Sequence, residues 1–164
     1  MHLQERAFSV GALASAVLLA LLIALPGGGG GARADLGGDS GTNDPFKEVR
    51  ALIVKEQYEA ALVKLDGLQQ SQAKNADLYS LKGFATRKLG RYQEAEGYYD
   101  QALAIDDEHI YALEYLGELY LETNRLAEAE KVLERLDDAC GFFGCEEEEE
   151  LKQAIAAYKA KNGG

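Results

Sequence analysis

Beyond its first 44 residues the chain alternates apolar and polar positions with the period of a helix, and the alternation itself recurs. Tyr58, Ala61, Leu65 and Leu68 form one set; Tyr92, Ala95, Tyr99 and Ala102 a second; Leu126, Ala129, Leu133 and Leu136 a third. Steps of three and four place each set on one helical face. A further amphipathic stretch precedes each, so the pattern predicts pairs of helices. Shifting the chain by 34 residues superposes "YSLKGFATRKLGRYQEAEGYYDQAL", which starts at Tyr79, on "LEYLGELYLETNRLAEAEKVLERLD", which starts at Leu113. Gly83 then meets Gly117, Arg91 meets Arg125, and Glu94-Ala95-Glu96 meets Glu128-Ala129-Glu130. A weaker third copy, "KEQYEAALVKLDGL", aligns Tyr58 with Tyr92, Ala61 with Ala95 and Leu65 with Tyr99. Small residues at Gly83, Gly117, Ala61, Ala95 and Ala129 suit a close approach of the two helices in a pair. Gly90 and Asn124 suit the turn between them, because both tolerate a positive φ.

The 34-residue period, "LKG" and "YLG" early in the copies, the "LGRYQEA" turn and the "YYDQALAID" ending together resemble the tetratricopeptide repeat. The resemblance spans copies at 42–75, 76–109 and 110–143. Val49 stands where the other copies have glycine, and Asp107 where the family usually has proline. It implies an all-α solenoid of three helix-turn-helix hairpins. Such a stack needs polar ends, and Leu151, Ile155 and Tyr158 make a single apolar stripe on a capping helix expected over 146–161. Tyr58, Tyr92 and Tyr99 read as packing residues. The resemblance also implies a concave groove lined by the first helix of each hairpin, suited to a peptide or a partner's helix. Carried over by position, the groove takes Phe46, Arg50 and Ile53 from the first copy. The second copy supplies Asp77, Ser80, Phe84, Arg87 and Lys88, and the third Tyr111, Glu114, Glu118, Leu121 and Glu122. The expected surface has a basic and aromatic middle beside an acidic end, with exposed aromatic anchors. The lysine and asparagine set with which some family members grip a C-terminal carboxylate is missing.

The first 34 residues do not join this pattern. Arg6 precedes the unbroken apolar run Val10 to Leu25; Pro26 and five glycines end it, and Ala32 and Ala34 stand before Asp35. That order predicts a secretory signal peptide over 1–34, cut after Ala34, and export to the periplasm or beyond. The run is shorter than the ~20 residues of a spanning helix, and an uncleaved signal would hold the protein at the membrane. The glycine-rich 35–44 reads as a flexible tether, and 45–161 as the repeat domain. Without Arg6, Arg33 and Glu5 the chain keeps 15 basic and 27 acidic side chains, a net charge of −12. Such a charge does not draw it to nucleic acid or an anionic membrane.

Little in the chain suggests catalysis. His2 falls in the signal segment and His109 in the "IDDEHIY" link between copies; no phosphate loop, nucleophile elbow or metalloprotease motif is present. No cofactor and no metal are expected. Cys140 and Cys145, with four residues between them, do not form a Cys-X-X-Cys pair, and zinc needs about four ligands. In an exported chain they are expected to pair as a disulfide, Gly141 and Gly144 breaking the helix so that the loop folds back. Closing that ring contributes about 2 kcal/mol in the loop-entropy model. Phe142 and Phe143 are expected to pack under the loop, and Glu146 to Glu150 to begin the last helix, where acidic residues suit the helix dipole. Two function classes follow: a non-catalytic protein-interaction adaptor, or a thiol-redox or metal-handling accessory factor of envelope or cytochrome assembly that uses the two cysteines.

Overall fold

The computed structural model describes residues 44–163; the signal segment and the tether up to residue 43 lie outside them. Within that range the chain is an all-α solenoid. Three hairpins follow one another: α1 (Lys47–Val54) with α2 (Tyr58–Gln72), α3 (Ala76–Lys88) with α4 (Tyr92–Ile105), and α5 (Ile110–Glu122) with α6 (Leu126–Cys140). A 3-10 turn (Gly141–Phe143) leads to α7 (Glu146–Asn162), which packs on α5 and α6.

The turns inside the hairpins are built alike. Glu56, Gly90 and Asn124 have φ of 57°, 75° and 61°, and each lies 34 residues from the next. The following residue donates its N–H across the turn, Gln57 to the Leu52 carbonyl at 2.9 Å, Arg91 to Thr86 at 3.2 Å and Arg125 to Tyr120 at 2.7 Å. This closure satisfies helix-end carbonyls and reverses the chain. Gly90 and Asn124 meet the backbone demand; Glu56 meets it at a cost, since a Cβ disfavours this region.

The small residues permit the close approach. A Cβ on Gly83 would lie 2.4 Å from Cε1 of Tyr99, so the α4 tyrosine lies flat on bare α3 backbone. Gly117 is equally tight, but its neighbour is Leu151 of α7, at 2.6 Å, rather than a residue of its own hairpin. Ala61, Leu65, Ala95, Tyr99, Ala102, Ala129 and Leu136 are buried in one continuous core. Tyr92 departs from its expected packing role, standing 37% exposed.

Polar contacts stitch the copies together. Lys82, buried on α3, reaches back to Asp66 of α2 at 2.7 Å. Arg125 grips Glu96 of the preceding copy at 2.8 Å while stacking on Tyr120. His109 caps α5: its Nδ1 accepts the Ala112 N–H at 3.1 Å, leaving the Nε2 hydrogen for Asp77 of α3 at 3.0 Å. That bond holds the Asp77 carboxyl below the usual carboxylate range.

Candidate functional site

The first helices of the second and third hairpins bring their stripes together. Phe84 of α3 packs on Tyr115 of α5 with ring centroids 4.8 Å apart, and touches Tyr58 of α2 edge-on at 6.4 Å. Tyr115 also meets Tyr111 at 6.3 Å and Tyr99 at 6.4 Å, so a ladder of aromatic rings crosses from the first copy to the third. The Arg87 guanidinium lies over the Phe84 and Tyr115 rings, 5.7 and 5.9 Å from their centroids. It donates to Glu118 at 2.5 Å and to Glu122 at 2.9 Å. Burial opposes its charge, but the neighbouring groups more than offset this and hold it charged even above arginine's ordinary range. An aromatic floor carrying a fork-shaped ionic clamp thus spans two repeats.

The sequence-expected residues divide into three groups around this cluster. Asp77, Arg87, Glu118 and Glu122 form ion pairs between copies, with Arg50 at 3.8 Å from Asp77 and 3.2 Å from Asp44. Lys88 is exposed, with its ammonium 5.2 Å from the Phe84 centroid, and Tyr111 is half-buried. Phe46, Ile53, Ser80, Phe84, Glu114 and Leu121 are closed to solvent. The expectation of exposed aromatic anchors is therefore corrected: the Phe46 and Phe84 rings are covered, Tyr111 is half-buried, and Ile53 and Leu121 likewise belong to the core. The expected basic middle is corrected as well. Arg87 is neutralised by two carboxylates of the next repeat, which leaves Lys88 as the exposed cation there.

Glu114 faces other carboxylates. Burial, with Glu118, Glu150 and Glu147 nearby, pushes its pKa up to about 9, so it is a neutral acid at neutral pH. Sequence reasoning missed Tyr115, the hub of the aromatic ladder. It shares its register with Leu81, an aliphatic core position, so no repeat-wide pattern marked it.

At the end of α6 the structure pairs Cys140 with Cys145, their Cα atoms 5.4 Å apart, a separation normal for a disulfide. Gly141 and Gly144 have φ of 69° and 66° and turn the chain between them. Phe142 and Phe143 do not pack under this loop; they are 97% and 96% exposed. A ring closed over six residues leaves no space beneath it for two phenyl groups. Among the described residues no cluster of histidine, cysteine and acidic side chains is arranged to hold a metal ion.

Residues 87–139 match the family model of the tetratricopeptide repeat. The uncharacterized protein ycf37 of Porphyra purpurea is 27% identical over 105 residues, covering 58% of this chain; the chain spans only 61% of that relative's length. Solved structures share the fold at lower identity. The type III secretion translocator chaperone SycD of Yersinia enterocolitica superposes with a TM-score of 0.64 at 18% identity, covering 73% of this chain and 84% of its own. The same chaperone in complex with a peptide of the translocator YopD gives 0.61 at 19% identity, over 72% and 92%. The Sgt2 TPR domain from Aspergillus fumigatus gives 0.63 at 17% identity, over 79% and 83%. With its three stacked hairpins, their shared positive-φ turns and these matches, the described part of the chain is a solenoid of the tetratricopeptide-repeat fold.

Proposed function

We propose that this chain is a non-catalytic interaction scaffold, exported from the cytoplasm, that takes a peptide or a partner's helix along the face shared by α3 and α5. The observation that carries this reading is the packing of the first helices α3 and α5 side by side, which leaves Lys88 and Glu122 exposed and Tyr111 half-buried. The covered rings and the Arg87 clamp hold those helices rigidly across two repeats, and a preorganised surface loses less on binding. A fold neighbour holding a peptide of another protein lends support by analogy. His109 places both ring nitrogens in structural contacts, with the Ala112 N–H and with Asp77. Export is supported by the signal-like order of residues 1–34 and by the cysteine pairing, which persists in oxidising compartments.

The test uses a charge that no ion pair among the described residues holds. Lys88 is exposed, so Lys88→Glu keeps the fold and changes the rim. Affinity capture from the source envelope fraction should recover a specific partner with the wild type and lose it with the variant. Equal recovery by both refutes the assignment of the face. Export is checked separately, by the N-terminal sequence of the native protein, expected to start at Asp35. The cysteines act as a staple between α6 and α7 in this reading. Cys140→Ser should then lower the melting temperature while binding survives below it; loss of activity with an intact fold would favour the thiol-active class instead.

A further inference from the structure

Helix α7 begins with five consecutive glutamates, Glu146 to Glu150. Leu151 lies on the Gly117 backbone and Ile155 is buried beside it, so one side of the acidic turn is pressed against the stack. Two carboxyl pairs form there. Glu150 shares a hydrogen bond with Glu114 of α5, and Glu148 shares one with Asp137 of α6. Glu114 and Glu148 are only 5% and 4% exposed. An ionised carboxylate only accepts hydrogen bonds, so a bond between two carboxyl groups needs a proton on one of them.

The two pairs have different surroundings. Lys152 bonds the Glu148 carboxylate from one turn away, Asp137 is exposed, and Asp138 stands next to it. The lysine and the Asp137 contact hold Glu148 below the usual carboxylate range. The Glu114–Glu150 pair is set among further acids. Glu118 of α5 and Glu147 of α7 act on Glu114, and Glu150 faces Glu118, Glu146 and Glu147. From α3, Arg87 reaches α5, but its guanidinium is committed to Glu118 and Glu122. The phenols of Tyr115 on α5 and Tyr99 on α4 are buried close to Glu114 and Glu118 respectively. Burial first, and these acids after it, hold the Glu114 pKa up at about 9, and burial raises Glu150 as well.

The head of α7 supplies a hinge. The Cys140–Cys145 bond keeps it tied to the end of α6, and Gly141 and Gly144 turn the chain there with φ of 69° and 66°. We propose that α7 is a proton-held latch, closed on α5 while Glu114 and Glu150 share a proton and opening about the cysteine turn as rising pH removes it. Opening uncovers the Gly117 backbone and returns the crowded carboxylates to water. Below an ordinary 4.5 the Glu114 carboxyl is protonated whether α7 is docked or free, and pH has no leverage. Between 4.5 and about 9 only the docked form keeps the proton, so each pH unit weakens docking by up to about tenfold. Leu151, Ile155 and the Lys159–Glu130 ion pair at 2.6 Å oppose opening at every pH. The proton therefore sets the population of a local opening and leaves the stack of hairpins intact. The latch does not depend on what binds the α3–α5 face.

Native-state amide hydrogen exchange of the full chain tests this, read from about pH 5 to 9 with each amide's intrinsic rate divided out and repeated in low urea. The α7 amides from Leu151 to Lys159 should be less protected than those of α3 and α4. Their exchange should respond only weakly to urea, as a local opening does, while α3 and α4 show the full slope of global unfolding. The α7 protection should fall by up to about tenfold per pH unit across the range. Glu114→Gln keeps the shape of the protonated acid and can still donate to Glu150, so it should fold and flatten that profile. Three results overturn the inference: α7 protection that is independent of pH, a slope that survives Glu114→Gln, or α7 amides that exchange only together with α3 and α4 at the full urea slope. The last would mean that α7 leaves the stack only when the whole domain unfolds.

Discussion

Gly83→Ala tests the idea that repeat geometry here rests on bare backbone. In an open helix this change stabilises by about 1 kcal/mol, because alanine is the better helix former. At Gly83 the new methyl carbon would lie 2.4, 2.6 and 2.9 Å from Cε1, Cδ1 and Cζ of Tyr99. Carbon atoms rest at about 3.5–4.0 Å, so the ring must retreat by about 1 Å. It has little room to do so, since Tyr99 is wholly buried and leans on Tyr115. Overpacking of this kind costs about 1–3 kcal/mol, which cancels or exceeds the propensity gain. Gly97→Ala, in the middle of α4 with nothing within 4 Å of its Cβ position, provides the control and should keep its full gain. Urea unfolding monitored by circular dichroism should place Gly83→Ala about 1–3 kcal/mol below Gly97→Ala, at unchanged m-value. Adding Tyr99→Leu to Gly83→Ala should cost less than the sum of the two single changes, because the smaller side chain removes the clash. If Gly83→Ala matches or exceeds Gly97→Ala in stability, the close approach does not constrain the hairpin and the reasoning fails.

Three further outcomes follow from single features. Glu56→Gly should raise stability by about 0.5–1 kcal/mol, read from the urea midpoint, because Glu56 alone among the three equivalent turns carries an ordinary side chain at positive φ (57°). Replacing Cys140 and Cys145 together by serine should cost about 2 kcal/mol in the same assay, and adding reductant to the double variant should change nothing. Glu114→Gln should gain on the wild type as the pH rises. The Glu114 pKa goes from an ordinary 4.5 in the unfolded chain to about 9 in the fold, so ionisation penalises the folded state progressively across that interval. The two proteins should have a constant stability difference below about pH 4 and diverge up to about pH 9.

The fold was legible because the residues that define it are local and recur. Gly90 and Asn124 announced their turns, and Gly83 announced a close approach, since nothing else tolerates those positions cheaply. Val49 at the glycine register of the first copy also makes sense in volume. Leu65 stands where Tyr99 stands in the second copy, so a smaller residue on one helix accompanies a larger one on the other, and both are buried. The site was less legible, because its state depends on partners one repeat away. Arg87 pairs with Glu118 and Glu122, Phe84 meets Tyr115, and Asp77 meets His109. These offsets of 31 to 35 residues bracket the 34-residue period, the spacing at which the first helices of adjacent hairpins lie side by side. Reading α3 alone shows a free cation and an exposed ring; reading it against the next copy shows a neutralised clamp. Phe142 and Phe143 misled for another reason. Hydrophobicity suggests burial, but a six-residue ring offers no interior in which to bury them.

The same period explains why α7 closes the stack. Adding 34 to Gly117 gives Leu151, so α7 occupies the register of a first helix in a fourth repeat, with leucine at the glycine position. In the second copy that glycine exists to admit Tyr99 from the returning helix. Among the described residues α7 has no returning helix, and the constraint that selects glycine is absent. Leu151 instead points back into the space above Gly117, its Cδ2 2.6 Å from where a Cβ would lie there, and is fully buried with Ile155 beside it. With no returning helix to admit among the described residues, leucine at this register anchors α7 as a lid. The outward side of that helix carries Lys152, paired with Glu148, and Lys159, 2.6 Å from Glu130 of α6. Its polar surface provides the solvated end that a stack of apolar hairpins requires. The short cysteine-closed turn sets where that lid begins, and in doing so leaves the two phenylalanines projecting into water.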